Sequence, residues 1–259
     1  MAGQIIVEEK RHAGLIAKKV QGSLLDLQDF LKIYKQMGIK PVKGRPVNLL
    51  EVGCGRGIHS VNFAQMGFTV TGIDLSRSAI KQAKARAVAD QVKINFIVRD
   101  ATRTGLAGAS FDLIVAIDFL HHFYYSSLQR PLDEIKRLLK KNGTLILFEP
   151  NNLHPYTFLS FCLPHFLQQN HFLSKIKYFG QVVTVNERAL NPFNLLKSLQ
   201  PDFQLVALKF VPYTNFLASR SPLGWPMLKC LRQAADRVGA VFPPPYRHDH
   251  FLMRLKKIG

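Results

Sequence analysis

Residues 49–57 read Leu49-Leu50-Glu51-Val52-Gly53-Cys54-Gly55-Arg56-Gly57, and Asp74 follows inside Ile73-Asp74-Leu75. The run from Val47 to Val52 is short and largely apolar, the pattern of a strand buried on both faces of a parallel sheet. Glu51 stands near its carboxyl end. Gly53, Gly55 and Gly57 allow a tight turn and a close approach of the backbone to a ligand. His59 to Gln65 reads as the helix that follows, and Thr69 to Ile73 as a second strand ending at Asp74. An acid there can accept hydrogen bonds from both hydroxyls of a ribose. Together the loop and the acid imply a nucleotide site.

The glycine spacing narrows the ligand. A dinucleotide fold carries G-x-G-x-x-G, with a helix amino terminus aimed at a pyrophosphate. Here the spacing is G-x-G-x-G with an acid two residues before it, which suits a ligand bearing an ammonium group. The stretch resembles the E/D-x-G-x-G-x-G motif of class I S-adenosylmethionine-dependent methyltransferases. That resemblance implies an α/β fold: a seven-stranded, mostly parallel, doubly wound sheet whose last strand is antiparallel. It implies S-adenosyl-L-methionine as cofactor, held by Glu51, Gly53, Cys54, Gly55, Gly57, Asp74, Leu75, Asp100, Ala101 and Asp118.

The likeness runs on to about Asn152. Asn95 to Val98 reads as a third strand, followed by Arg99-Asp100-Ala101, where the family places an acid on the adenine amino group. Phe111 to Ile117 is a fourth strand, followed by Asp118-Phe119-Leu120-His121-His122-Phe123. Pro131 to Leu139 has helical spacing. Lys140 to Gly143 reads as a turn and Thr144 to Phe148 as a fifth strand. LKKNGTLILFEPN is similar to the family's L-K-P-G-G-x-L-x-x-x-E-P, with Lys141 and Asn142 replacing the usual Pro and Gly. The His-His pair after the fourth strand is common in the branch acting on small molecules and lipids.

Outside this core the organisation is less regular. Ser23 to Met37 has helical spacing with Ser23 as N-cap and Gly38 as stop, so residues 1–45 read as a helical segment before the 46–150 cofactor core. Residues 151–259 complete the sheet. A crossover helix is expected over Glu187 to Leu199, with strands at Phe203 to Phe210 and Phe251 to Leu255. Two insertions, 151–181 and 211–250, read as caps over the substrate. The first predicts two short amphipathic lid helices. The second contains a helical stretch, Pro226 to Val238, and an extended Pro243-Pro244-Pro245-Tyr246.

The net charge is +18, and residues 151–259 supply 13 basic against 4 acidic residues together with 16 of the 27 aromatic ones. Positive charge mixed with apolar surface favours an anionic partner with apolar parts. The reading is a hydrophobic small-molecule or lipid-like acceptor and an anionic membrane surface, with nucleic acid less favoured and a homodimer open. Three scattered cysteines give neither a disulfide framework nor a zinc site, and no metal site is legible. With no secretory signal and no apolar run long enough to span a bilayer, the expected location is cytoplasmic, peripheral at the inner face of the membrane.

The sulfonium of this cofactor is already activated, so the protein must mainly align the acceptor and exclude water. A hydroxyl acceptor gains from a general base. His122 is the first candidate, with Glu149, His121 and His154 beside it. Residues 149–152 read E-P-N-N and lack the N-P-P-Y or D-P-P-Y tetrad of enzymes that methylate base amino groups. Methylation at oxygen is the leading expectation. An RNA-directed methyltransferase and a non-catalytic cofactor-binding scaffold stay open.

Overall fold

The computed structural model describes residues 34, 38, 40, 41, 44–123, 126–154, 176–178, 181–183, 189–211, 243–248 and 250–258. Seven strands form one sheet: β1 (Asn48–Val52), β2 (Thr69–Asp74), β3 (Ile94–Val98), β4 (Phe111–Ile117), β5 (Leu139–Pro150), β8 (Phe203–Val211) and β9 (His250–Lys257). Their order is β3-β2-β1-β4-β5-β9-β8. β1 to β5 pair in parallel, and β9 runs antiparallel between β5 and β8. The chain leaves β1 for β2 on one side and returns to β4 on the other. That reversal opens a crevice at the carboxyl ends of β1 and β4.

Both faces are covered, which is why the central strands are apolar at consecutive positions. On one face Leu50, Val52, Ile114, Ala116, Leu145 and Leu147 pack against helix α3 (Gln129–Leu138) and helix α4 (Pro192–Leu199). On the other, Leu49, Val70, Leu113, Val115, Ile146 and Phe148 meet Phe63 of helix α1 (Ile58–Gln65) and Tyr34. Helix α2 (Arg77–Ala89) packs Ile80, Ala83 and Ala87 on Phe96 and Cys54. Each wholly buried Leu, Ile or Phe contributes about 1.5–3 kcal/mol.

Local chemistry sets the helix ends. Ser76 caps α2, its Oγ accepting from Ala79 N–H at 3.1 Å. Asn191 caps α4 by accepting from Phe193 and Asn194 N–H, and Pro192 holds the first helical position without losing a bond.

The structure departs from the sequence reading in five places, the first being that the crossover helix expected from Glu187 starts at Pro192, with Leu190 bridged to Asn151 instead. Lys140 to Gly143 do not form a separate turn. They are a bulge inside β5, where the partner of Phe111 is Leu139 and the partner of Leu113 is Thr144. Asn142, at φ 61°, takes the left-handed conformation there, a role Asn tolerates. Helix α3 begins at Gln129, with Pro131 inside its first turn, where a missing N–H costs nothing. Pro244–Arg247 is not extended but a single helical turn, α5, since proline's φ suits helical starts. The end of the first insertion is an antiparallel ribbon of β6 (Ile176–Tyr178) and β7 (Gln181–Val183), not helix. The rest of that lid, most of the 23–37 helix and the 226–238 stretch lie outside the described residues. No helix among the described residues is long and apolar enough to cross a membrane.

Candidate functional site

The glycine loop lies where β1 feeds α1. Gly53, Gly55 and Gly57 all have positive φ, at 71°, 52° and 73°. A Cβ at 53 would strike the Phe119 ring, and one at 57 would strike Phe96 and Ala83. A Cβ at 55 would meet nothing within 4 Å among the described residues. The loop is thus packed against protein at both ends and opens outward in its middle, leaving a cradle at Gly55 for a ligand.

Asp74, at the end of β2, shapes that cradle. Its Oδ2 accepts from Gly55 N–H at 2.9 Å and its Oδ1 from Ser76 N–H at 2.8 Å. Each oxygen keeps a lone pair for a further donor, as a ribose would need. Asp100, after β3, accepts on Oδ1 from Thr102 N–H at 2.8 Å and Thr102 Oγ at 2.7 Å, so Oδ2 stays available. Leu75 and Ala101 follow these two acids and are half-buried, with backbone at the crevice. Cys54 contributes backbone only. Its thiol is buried under α2, and burial followed by the charges of Glu51 and Asp74 raises it well above its ordinary range. Glu51 is 2 % exposed and accepts from Ser60 Oγ on α1. Burial pushes its carboxyl up to about 8, against the Ser60 hydrogen bond.

The other half of the crevice follows β4 and β5. Glu149, 0 % exposed, accepts from the N–H groups of Phe119 at 3.1 Å, Leu120 at 2.7 Å and His121 at 3.3 Å, and its Oε2 lies 3.0 Å from His121 Nδ1. It therefore fixes the single 3-10 turn Leu120–His122. Burial, then the charge of Asp118, pushes Glu149 up to about 8 against those backbone N–H groups. His121 is buried at 1 %, whereas His122 is half-buried, its ring centroid 4.1 Å from that of His121. The histidine pair thus has one inner ring and one outer ring. Glu149 and His121 are both buried, and of the pair only the His122 ring is partly exposed. His154 is half-buried beyond the end of β5, its N–H donating to Asn151 O at 3.3 Å.

Asp118 adds a cluster that the linear sequence hid. It sits at φ 49°, a strained backbone for a non-glycine residue. His250 Nε2, brought by β9, stands 3.4 Å from its Oδ1. Burial raises the Asp118 carboxyl, but His250, His121 and His59 outweigh it and hold it below its usual range. His59 in α1 also bonds Tyr34, and burial drives its imidazole down to about 4. His59 follows the glycine loop by two residues and could have been flagged by position. His250 is near only because β9 inserts beside β5, and nothing in the linear sequence signals it.

Residues 50–147 match the family described as "Methyltransferase domain". The Ubiquinone biosynthesis O-methyltransferase of Coxiella burnetii (strain RSA 493 / Nine Mile phase I) is 36 % identical over 104 residues, covering 40 % of this chain and 43 % of its own. The chain spans under half the length of these curated relatives. Among solved structures, a SAM-dependent methyltransferase of Methanosarcina mazei aligns with TM-score 0.65 and 21 % identity over 90 % of this chain and 99 % of that one. The N-methyltransferase NodS of Bradyrhizobium japonicum, in complex with S-adenosyl-L-homocysteine, aligns with TM-score 0.61 and 15 % identity over 96 % and 98 %.

Proposed function

We infer that this chain, whose residues 50–147 belong to the class I S-adenosylmethionine-dependent methyltransferases, methylates a hydroxyl of a hydrophobic small-molecule or lipid-like acceptor. The observation that carries this reading is the His122 ring, half-buried at the carboxyl edge of the sheet and held from behind by His121 and Glu149. The name of the ubiquinone O-methyltransferase relative supports oxygen as the methylated atom.

The cradle fits the cofactor. Gly55 leaves room for it, Asp74 offers lone pairs to the ribose, and Asp100 Oδ2 is available to the adenine amino group. Glu51 and Asp118 supply the acidic side of the methionine end. Bound there, S-adenosylmethionine supplies a methyl group already activated on sulfur.

The remaining work falls to the side chains around the acceptor. His122, as a neutral imidazole, takes the hydroxyl proton as the oxygen attacks. Glu149 and His121 act as positioning residues, since both are buried and hold the turn that carries His122. Asp118 stays ionised beside them and disfavours a second carboxylate at Glu149.

The test is His122→Ala. Once a screen of hydrophobic hydroxyl compounds has supplied an acceptor, kcat should drop by about 10²–10⁴-fold while S-adenosylhomocysteine affinity holds. Full kcat in the variant from pH 6 to 9 would remove the base and favour an acceptor that attacks unaided.

A further inference from the structure

One edge of the sheet carries a marked excess of positive charge. Residues 77–103, which form α2, β3 and the turn beyond, hold seven Lys or Arg against two acids. Arg77, Lys81, Lys84, Arg86, Lys93, Arg99 and Arg103 are all exposed, and none forms an ion pair among the described residues. Elsewhere Arg45, Lys136, Arg137 and Lys140 each pair with a carboxylate. The two acids in this stretch, Asp90 and Asp100, leave it with a net charge of +5.

The charge is interleaved with apolar surface. Val88 is 79 % exposed. Ala87, Val88, Val92 and Ile94 line a shallow groove with Lys84 and Lys93 at its rim. Nearer the glycine loop, Arg56 has a buried Nη2 with no hydrogen-bond partner among the described residues. Burial and the neighbouring charge of Arg86 both push that guanidinium below its usual range. Two like charges held this close gain from a bound anion between them.

We propose that the α2–β3 edge docks the protein on an anionic lipid surface. The groove decides between lipid and nucleic acid. A headgroup boundary accepts lysines around an exposed valine, whereas a phosphate backbone rewards charge alone. Nucleic-acid grooves also supply aromatic faces for bases, and the one aromatic in 77–103, Phe96, is 4 % exposed. Docking this way sets Arg77, Arg99 and Arg103 on the lipid beside Asp74 and Asp100, so the cofactor crevice opens next to the surface. The inference rests on the anionic-surface reading of the charge and is independent of which acceptor is methylated.

The full chain is sedimented with phosphatidylcholine vesicles, with and without phosphatidylserine, at low and high salt. The wild type should bind only the phosphatidylserine vesicles and release as salt rises. Lys84→Glu/Val88→Ser/Lys93→Glu should bind at least about a hundredfold more weakly. Lys197→Glu/Lys209→Glu, a matching charge change at the opposite edge, should stay within about threefold of wild type. S-adenosylhomocysteine affinity should match in all three, which separates loss of docking from loss of the cofactor site. If the triple variant fails to bind that probe, Lys81→Glu/Arg103→Glu takes its place. No wild-type binding to phosphatidylserine vesicles at low salt overturns the proposal and leaves the lysines as guards against edge-to-edge pairing. Equal loss in the opposite-edge variant, or tighter binding to duplex RNA than to vesicles, overturns it as well.

Discussion

Replacing Glu149 with Gln separates two forces acting on one buried carboxyl. Four hydrogen-bonding contacts converge on it, and the three from backbone N–H groups favour the carboxylate. Burial and the adjacent Asp118 act the other way and win, placing it at about 8 against 4.5 unperturbed. A carboxyl raised this way contributes stability that is complete below its unfolded value of about 4.5 and is lost as the pH rises through about 8. Gln mimics the neutral acid. Its Oε1 keeps the Phe119 and Leu120 bonds, and its Nε2–H can donate to His121 Nδ1 as a protonated Oε2 would. Near pH 4.5 the two proteins should be about equally stable. Near pH 7.5 the 3.5-unit shift makes Glu149→Gln more stable by up to ~4 kcal/mol, at 1.36 kcal/mol per unit. Urea unfolding of both proteins across this range measures the difference. If the hydrogen bonds instead hold Glu149 ionised, Gln destabilises by about 2–5 kcal/mol at neutral pH, and the gap stays nearly constant above about pH 5.5 and shrinks only as the pH falls below about 4.5. That result would falsify the neutral-acid assignment.

Asp74→Ala removes the acceptor of Gly55 and Ser76 N–H as well as the ribose partner, and should weaken S-adenosylhomocysteine binding by about 2–4 kcal/mol in calorimetry; unchanged affinity would free Asp74 of that role. Gly53→Ala drives a methyl into Phe119 at a φ of 71°, and should lower stability by about 1–3 kcal/mol in a thermal melt, whereas Gly55→Ala should spare stability more and harm cofactor affinity instead. Glu51, neutral at pH 7 when its carboxyl sits near 8, should release close to one proton when a cationic ammonium binds beside it; calorimetry in two buffers of different ionisation enthalpy reads this, and Glu51→Gln should abolish it.

The five parallel strands were legible because burial on both faces demands apolar runs, and such runs stand out between glycines and charged turns. The cofactor loop was legible for a related reason: a backbone that must take positive φ and stay open at Gly55 leaves few residue choices. The carboxyl strands were also readable: the apolar stretches Phe203 to Phe210 and Phe251 to Leu255 fall within β8 and β9, and β9 pairs with both β5 and β8. Local readings failed where neighbours overrode propensity. Lys140 to Gly143 have turn chemistry, yet the register of Phe111 and Leu113 draws them into β5 as a bulge. Three prolines suggest an extended segment, but Asn151, donating to Pro245 O and His248 O, ties that segment down as one helical turn follows Pro243.

The sequence by itself determined the parallel strands and the glycine loop between β1 and the helix after it, because those depend on periodicity and on backbone constraints local to a few residues. Tertiary structure alone decided their electrostatics. Only the fold surrounds Asp118 with His59, His121 and His250 from three elements, and turns Glu149 inward as the clamp of the histidine turn. Charge interactions and burial depend on distance through space, and chain order carries no record of that distance.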